Sequence, residues 1–246
     1  MPTVGELTAL YSNFMLGPRL GPDVCATCFN FTRGYDRCYA CAHGDTWLDV
    51  VAPISYSIGR EQLHHALAGY KRLTGEIARR LQVELAAVLW RFLAGHEACV
   101  AGAAGAQAFT LVTTVPSGAR QRDDGHPLRR IVSELVAPTR ARHERVLRRS
   151  AVELSARKPS ASRYQATRSF NGEPVLLIDD TWTTGANAQS AAAALKAAGS
   201  GPVAAVVIGR HLNREWHEND RRLRGITRPF DWNSCALCAQ LTHRRR

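Results

Sequence analysis

An α/β fold, a parallel sheet flanked by helices behind an N-terminal zinc-ribbon-like module, is what three stretches of this chain predict. The first is VLLIDDTWTTGA (Val175–Ala186), an apolar strand that runs into two aspartates and a loop of hydroxyl residues and glycine. The second follows at once: an alanine-rich helix over Ala186–Ala198, then PVAAVVIG (Pro202–Gly209), a second apolar strand. Strand, loop, helix and strand make a βαβ unit, and near-continuous apolar strands belong to parallel sheets covered on both faces. The third is a group of four cysteines in the first fifty residues, in a stretch with too little periodicity to build its own core.

The remaining elements follow in order. Gln62–Arg72 (QLHHALAGYKR) reads as a short helix. Gly75–Leu93 reads as a stronger one, because Ile77, Leu81, Leu85, Val88, Leu89 and Phe92 recur at helical spacing. The Gly/Ala-rich stretch Val100–Gln107 reads as a loop. Phe109–Val115 (FTLVTTV) is β-branched and bounded by Pro116, so it reads as a strand. Pro127–Val136 reads as a helix with arginines on one face. Ser150–Arg168 is polar and weakly patterned, and Lys158–Ser162 reads as a mobile loop within it. Val175–Ile178 is the motif strand, and the helix after it ends at Gly199. This ordering divides the chain into a cysteine module (1–50), an α/β domain (51–212) and a basic tail carrying a further CxxC (213–246).

The chain has 246 residues and a net charge of +11, from 32 basic and 21 acidic side chains. That surplus suits nucleotides, phosphates or nucleic acid, and equally a basic protein with no nucleic-acid role. No apolar run is long enough to span a bilayer, so no membrane partner is expected. The N-terminus lacks a basic segment followed by an apolar one, and the cytoplasm is the expected location.

Thr181, Thr183, Thr184 and Gly185 open a helix. Free N–H groups, the positive end of the helix dipole and hydroxyl donors together make a phosphate cradle. It is neither a Walker A loop nor a dinucleotide fingerprint, since both glycine patterns are missing. Asp179 and Asp180 would face hydroxyls or a cation. A ribose 5-phosphate fits both features, with phosphate on the loop and the 2′ and 3′ hydroxyls on the carboxylates. The plainer reading, two aspartates capping an ordinary turn, stands beside it.

VLLIDDTWTTGA resembles the phosphoribosyl pyrophosphate (PRPP) motif of type I phosphoribosyltransferases. The resemblance implies their fold. It also implies that Asp179 and Asp180 bind the ribose, and that Thr181, Thr183, Thr184, Gly185, Ala186 and Asn187 hold the 5-phosphate. Many members carry Thr or Ser where this chain has Asn187. A wider resemblance, to ComF-like phosphoribosyltransferases, rests on CATC…CYAC, LHHALAGYKR, TTVPSGARQRDDGHPLRRI and the motif in that order. The chain departs from that family at Asp124-Gly125-His126-Pro127, where Arg-Gly-Phe-Asn is usual, which puts acceptor chemistry in question.

PRPP brings a pyrophosphate leaving group and magnesium, so a second anion loop is needed. Ser117, Gly118 and Arg120, with Arg122 beside them, suit it, although a solvated basic turn has the same composition. Asp179, Asp180 and Arg120 are the catalytic candidates, acting by position and charge rather than by acid–base transfer. Lys158, Arg163 and Arg168, and more weakly Lys71, are candidates to close over PRPP. The implied activity is transfer of a phosphoribosyl group to a nitrogen acceptor, and a homodimer is common for this fold. A nucleic-acid-associated role, single-stranded nucleic acid included, and a PRPP sensor without turnover are the competing readings.

Cys25-x2-Cys28-x9-Cys38-x2-Cys41 has the spacing of a tetrahedral structural zinc site. Cys235-x2-Cys238 leaves three readings open. It could complete a second site with His43, His217 or His243, exchange with an N-terminal knuckle, or form a redox pair. Cys99 reads as a small buried hydrophobe.

Overall fold

The structure is a computed structural model that describes residues 2–117, 125–152 and 157–238. Its helices are α1 (Val4–Ala9), α2 (Tyr39–His43), α3 (Gln62–Arg72), α4 (Gly75–Ala103), α5 (Pro127–Arg130), α6 (Ala137–Arg140), α7 (Ala186–Ala197) and α8 (Asn219–Arg224). Its strands are β1 (Val50–Ile58), β2 (Leu111–Thr114), β3 (Leu147–Arg149), β4 (Tyr164–Ala166), β5 (Val175–Trp182) and β6 (Val203–Leu212). Four of them form one sheet in the order β1-β6-β5-β2, and every pairing in it is parallel. β3 and β4 form a separate antiparallel pair.

Strand alternation sorts the core into two layers. Leu176, Ile178, Ala204, Val206 and Ile208 face α3 and α4, with Leu67, Tyr70, Leu85, Leu89 and Phe92. Val175, Leu177, Val203 and Val207 face α7, with Ala188, Ala191, Ala192 and Leu195. The four N-terminal cysteines lie in this second layer. Tyr11, Met15 and Phe29, also from the first fifty residues, join the first layer. The Tyr56 hydroxyl donates to the Phe29 carbonyl at 2.9 Å, tying that region to β1. Among the described residues no helix is long and apolar enough to cross a membrane.

Several elements differ from the sequence reading. β1, with Pro53 in its middle, is a strand that the sequence reading leaves unassigned. Among the described strands β1 pairs with β6 alone and so lies at the sheet edge, a position that tolerates proline. Val100–Gln107 is not wholly a loop, because α4 runs on to Ala103. Val100 and Ala101 are fully buried there, and that packing outweighs Gly95 and Gly102, which cost about 1 kcal/mol each relative to alanine. Ile77 projects from the first turn of α4 into solvent, 62% exposed. Pro127–Val136 is broken: α5 passes into a π-helical turn over Ile131–Leu135, and Val136 is extended. β5 continues past Ile178 to Trp182, so both aspartates sit on the strand itself.

Candidate functional site

β2 ends beside Ile178, where the Val115 N–H donates to the Ile178 carbonyl at 3.0 Å, and β5 runs on past it to Trp182. Ligands in open parallel sheets bind at this edge. Here the two adjacent aspartates part company. Asp180, 4% exposed, points toward α3. Its Oδ2 accepts from the Tyr70 hydroxyl and meets Lys71 Nζ at 2.5 Å. A buried carboxylate is costly unless a cation and donors meet it, and α3 supplies both. Burial first, then the Asp180 charge, pushes the Tyr70 phenol far above its ordinary range.

Asp179 is half-buried and lines the clefts on both sides of the strand end. Its Oδ1 accepts from the Asp180 N–H at 2.9 Å. Burial, and then the neighbouring Asp180 carboxylate, pushes its carboxyl up to about 8 against the pull of Lys71. A carboxyl in this state gains from any ligand that brings hydroxyl donors or a cation.

After Trp182 the chain turns through Thr183, Thr184 and Gly185 into α7. Gly185 caps the helix at φ 81, in the left-handed region open to glycine. A Cβ there would lie 2.0 Å from Trp182 Cζ2. Trp182 is therefore the floor of the loop: it is 1% exposed and its ring packs directly beneath Gly185. Thr184 Oγ1 accepts from the Ala186 N–H at 3.3 Å, capping the free helix end.

Two clefts meet at this loop and share Asp179, Thr181, Thr183 and Asn187. One, of about 630 Å³, adds Thr184, Gly185, Arg157, Arg210 and Trp216. The other, of about 690 Å³, adds His64, Lys71, Arg72, Ser117 and His126. Asp179, Asp180, the threonines, Gly185, Ala186, Asn187 and Ser117 thus converge on one region. Gly118, Arg120 and Arg122 lie outside the described residues.

The closing candidates fare differently. Arg163 is 2% exposed, and its guanidinium donates to Ser190 Oγ at 3.2 Å and to the Lys158 carbonyl at 2.7 Å. The Ser160 N–H donates to the same hydroxyl at 2.8 Å, so the Lys158–Ser162 stretch is fastened to α7 rather than a free loop. Arg168 pairs with Glu144 at 3.0 Å and with Glu173 at 3.1 Å, beside the other end of β5. Lys71, the weakest candidate from sequence, is the one at the site. Sequence reasoning missed Tyr70, Arg72, Arg157 and Arg210. Tyr70 and Arg72 carried a signal, as the neighbours of Lys71 on one helical turn.

The sulfurs of Cys25, Cys28, Cys38 and Cys41 all lie within 4.8 Å of one another, each buried. Such a set can hold a metal ion, and four thiolates suit tetrahedral zinc. Buried Arg210 joins this cluster to the strand end. Its Nε donates to the Cys28 carbonyl at 2.8 Å and its Nη1 to the Trp182 carbonyl at 3.2 Å.

Cys235 and Cys238 lie with neither the N-terminal cluster nor His43 or His217. His43 Nδ1 lies 3.1 Å from the Tyr39 carbonyl, and His217 Nδ1 lies 2.9 Å from Arg33. His243 is outside the described residues. Their neighbours are instead His96 and Cys99. Cys99 is therefore not a lone hydrophobe; it is half-buried, 3.8 Å from Cys238 Sγ. No protein-family model matches this chain, and no curated protein sequence matches it either.

Proposed function

We propose that this protein binds PRPP with magnesium and transfers the phosphoribosyl group to a nitrogen acceptor, as a ComF-like protein of the type I phosphoribosyltransferase fold. The observation that carries this reading is that cleft-lining Asp179, on β5, and the glycine-capped N-terminus of α7 line one cleft. In this reading the 5-phosphate takes the N–H groups of α7 and displaces the Thr184 cap. Asp179 accepts from the ribose hydroxyls. Asp180 acts mainly through Lys71, which it holds at the rim of the second cleft. Lys71, Arg72 and Ser117 face the pyrophosphate there, and magnesium would ride on its oxygens.

The reaction breaks the bond from the anomeric carbon to pyrophosphate and forms a carbon–nitrogen bond. The acceptor nitrogen loses a proton and pyrophosphate leaves. Positive charge builds on the sugar, so fixed cations around the departing pyrophosphate supply the main stabilisation. Zinc in the N-terminal four-cysteine cluster has a structural part in this reading, because all four of its positions are filled by sulfur.

Calorimetry with PRPP and magnesium tests the proposal on wild type, Asp179→Asn and Thr184→Val. Binding by wild type that each variant weakens at least tenfold supports it. A folded, zinc-loaded wild type that binds no PRPP sinks it. Binding without pyrophosphate release across a panel of nitrogen acceptors would favour a sensor.

One observation favours a second reading, as a single-stranded nucleic-acid binder. Tyr35, Tyr39 and Trp216 are exposed and share a cleft with Arg33 and Arg37. Aromatic faces interleaved with arginines suit unpaired bases and their phosphates. Salt-dependent oligonucleotide binding that Tyr39→Ala and Trp216→Ala both remove would support this role; binding indifferent to both would end it.

A further inference from the structure

We infer that His96, Cys99, Cys235 and Cys238 form a second zinc site, which staples the C-terminal segment to α4. Their ligand atoms all lie within 4.8 Å of one another. Cys235 and Cys238 sulfurs are 3.2 Å apart, and Cys99 and Cys238 sulfurs 3.8 Å. His96 Nδ1 is 3.6 Å from Cys238 Sγ and 4.0 Å from Cys99 Sγ. Tetrahedral zinc with bonds near 2.3 Å to sulfur and 2.0 Å to nitrogen sets ligand–ligand edges of about 3.5–3.8 Å. The cluster is close to that size before any ion is added.

Three further features match a metal site rather than a chance meeting of thiols. His96 and Cys99 are one helical turn apart on α4, so both present to the same side. The other ring nitrogen of His96, Nε2, sits 2.9 Å from the Trp232 carbonyl, which accepts only if Nε2 bears the proton. That fixes the tautomer with the Nδ1 lone pair aimed at the sulfurs, the arrangement metal-binding imidazoles adopt. Finally, the CxxC turn donates its own N–H groups to sulfur, Cys235 N to Cys238 Sγ at 3.2 Å and Leu237 N to Cys235 Sγ at 3.4 Å. Such bonds offset thiolate charge. A Cys235–Cys238 disulfide would use two of the four groups and leave Cys99 and His96 converging on nothing.

The site has a structural task within reach. The segment it clamps carries Trp232, whose ring stacks under the Arg91 guanidinium at 4.6 Å and whose Nε1 donates to Ser12 Oγ at 2.8 Å. It also carries Leu237, buried in the main core. Zinc would close the long loop between Cys99 and Cys235. The inference is independent of what the PRPP-motif site binds.

The test is zinc content of the reduced, purified full chain by plasma mass spectrometry, with cobalt substitution as a spectroscopic check. The expected result is two zinc ions per wild-type chain, one for each cluster, and one in both His96→Ala and Cys99→Ser. Cobalt in the wild type should show d–d bands of a centre with three thiolates and one imidazole, which both variants lose. Should a variant fold poorly, iodoacetamide labelling of the wild type decides. Cys99 and Cys238 should resist labelling until a chelator is added. A wild type holding one zinc, variants that keep the wild-type content, or cysteines labelled freely before chelation would each overturn the inference.

Discussion

Replacing Gly185 by alanine tests how the phosphate-type loop is built. Two costs add at this position. A residue at φ 81 is held in the left-handed region, which costs an L-residue about 1–2 kcal/mol. The new Cβ would also sit 2.0 Å from Cζ2 and 2.5 Å from Cε2 of the buried Trp182 ring. Overpacking of that kind adds about 1–3 kcal/mol, for a total of about 2–5 kcal/mol. Gly172 supplies the control: its φ is 75, and no heavy atom lies within 4 Å of its would-be Cβ. Gly172→Ala should therefore lose only the backbone part, about 1–2 kcal/mol. Urea unfolding followed by circular dichroism, with zinc held constant, reads the difference. Adding Trp182→Leu to Gly185→Ala should recover the overlap, as a favourable coupling of about 1–3 kcal/mol in the double-mutant cycle. Equal losses at Gly172 and Gly185, or no coupling to Trp182, would refute the packing argument.

Further outcomes follow from other residues. Asp179, with its carboxyl raised to about 8, is mostly protonated at pH 7. Ribose hydroxyls or a nearby cation favour the ionised form, so Mg–PRPP binding at pH 7 should release a proton from Asp179. Calorimetry in buffers of different ionisation enthalpy measures it; zero release, or release unchanged in Asp179→Asn, would contradict the assignment. The same carboxyl binds its proton more tightly when folded than unfolded, so its contribution to stability should be lost as pH rises from about 4 toward 8. Asp179→Asn should flatten that slope in thermal melts. Arg210→Met strands the Cys28 and Trp182 carbonyls in the interior and should cost about 3–5 kcal/mol in urea unfolding; a loss under 1 kcal/mol, on the order of an ordinary surface change, would deny its bridging role. Gln189→Ala leaves the Trp47 and Leu48 N–H groups without the Oε1 that now accepts from them at 2.7 and 3.0 Å. About 1–3 kcal/mol should go, by the same measurement, with no change in zinc content.

Local pattern alone determined much of this protein. The βαβ unit was legible because Val175–Ile178 and Pro202–Gly209 are apolar throughout, as buried parallel strands must be, and because Ala186–Ala197 between them has a helix composition. The N-terminal group of four cysteines was legible because close spacing in sequence forces closeness in space. The strand-end aspartates and the threonine–glycine loop were legible as a unit for the same reason.

What depends on distant partners was decided only by the tertiary structure. β1 carries Pro53 because it lies at the sheet edge, and edge position is a property of the sheet and not of the strand. The two aspartates look alike in sequence, yet strand alternation turns Asp180 under Tyr70 and Lys71 and leaves Asp179 to the clefts. Arg163 and Arg168 look like solvated cations until Ser190, Glu144 and Glu173 are placed beside them. Cys99 gains meaning from Cys235 and Cys238, more than a hundred residues away, because α4 and the C-terminal segment happen to cross there. Spacing reports chemistry that one turn or one loop assembles; where chain folding brings the ligands together, only the packed structure can name them.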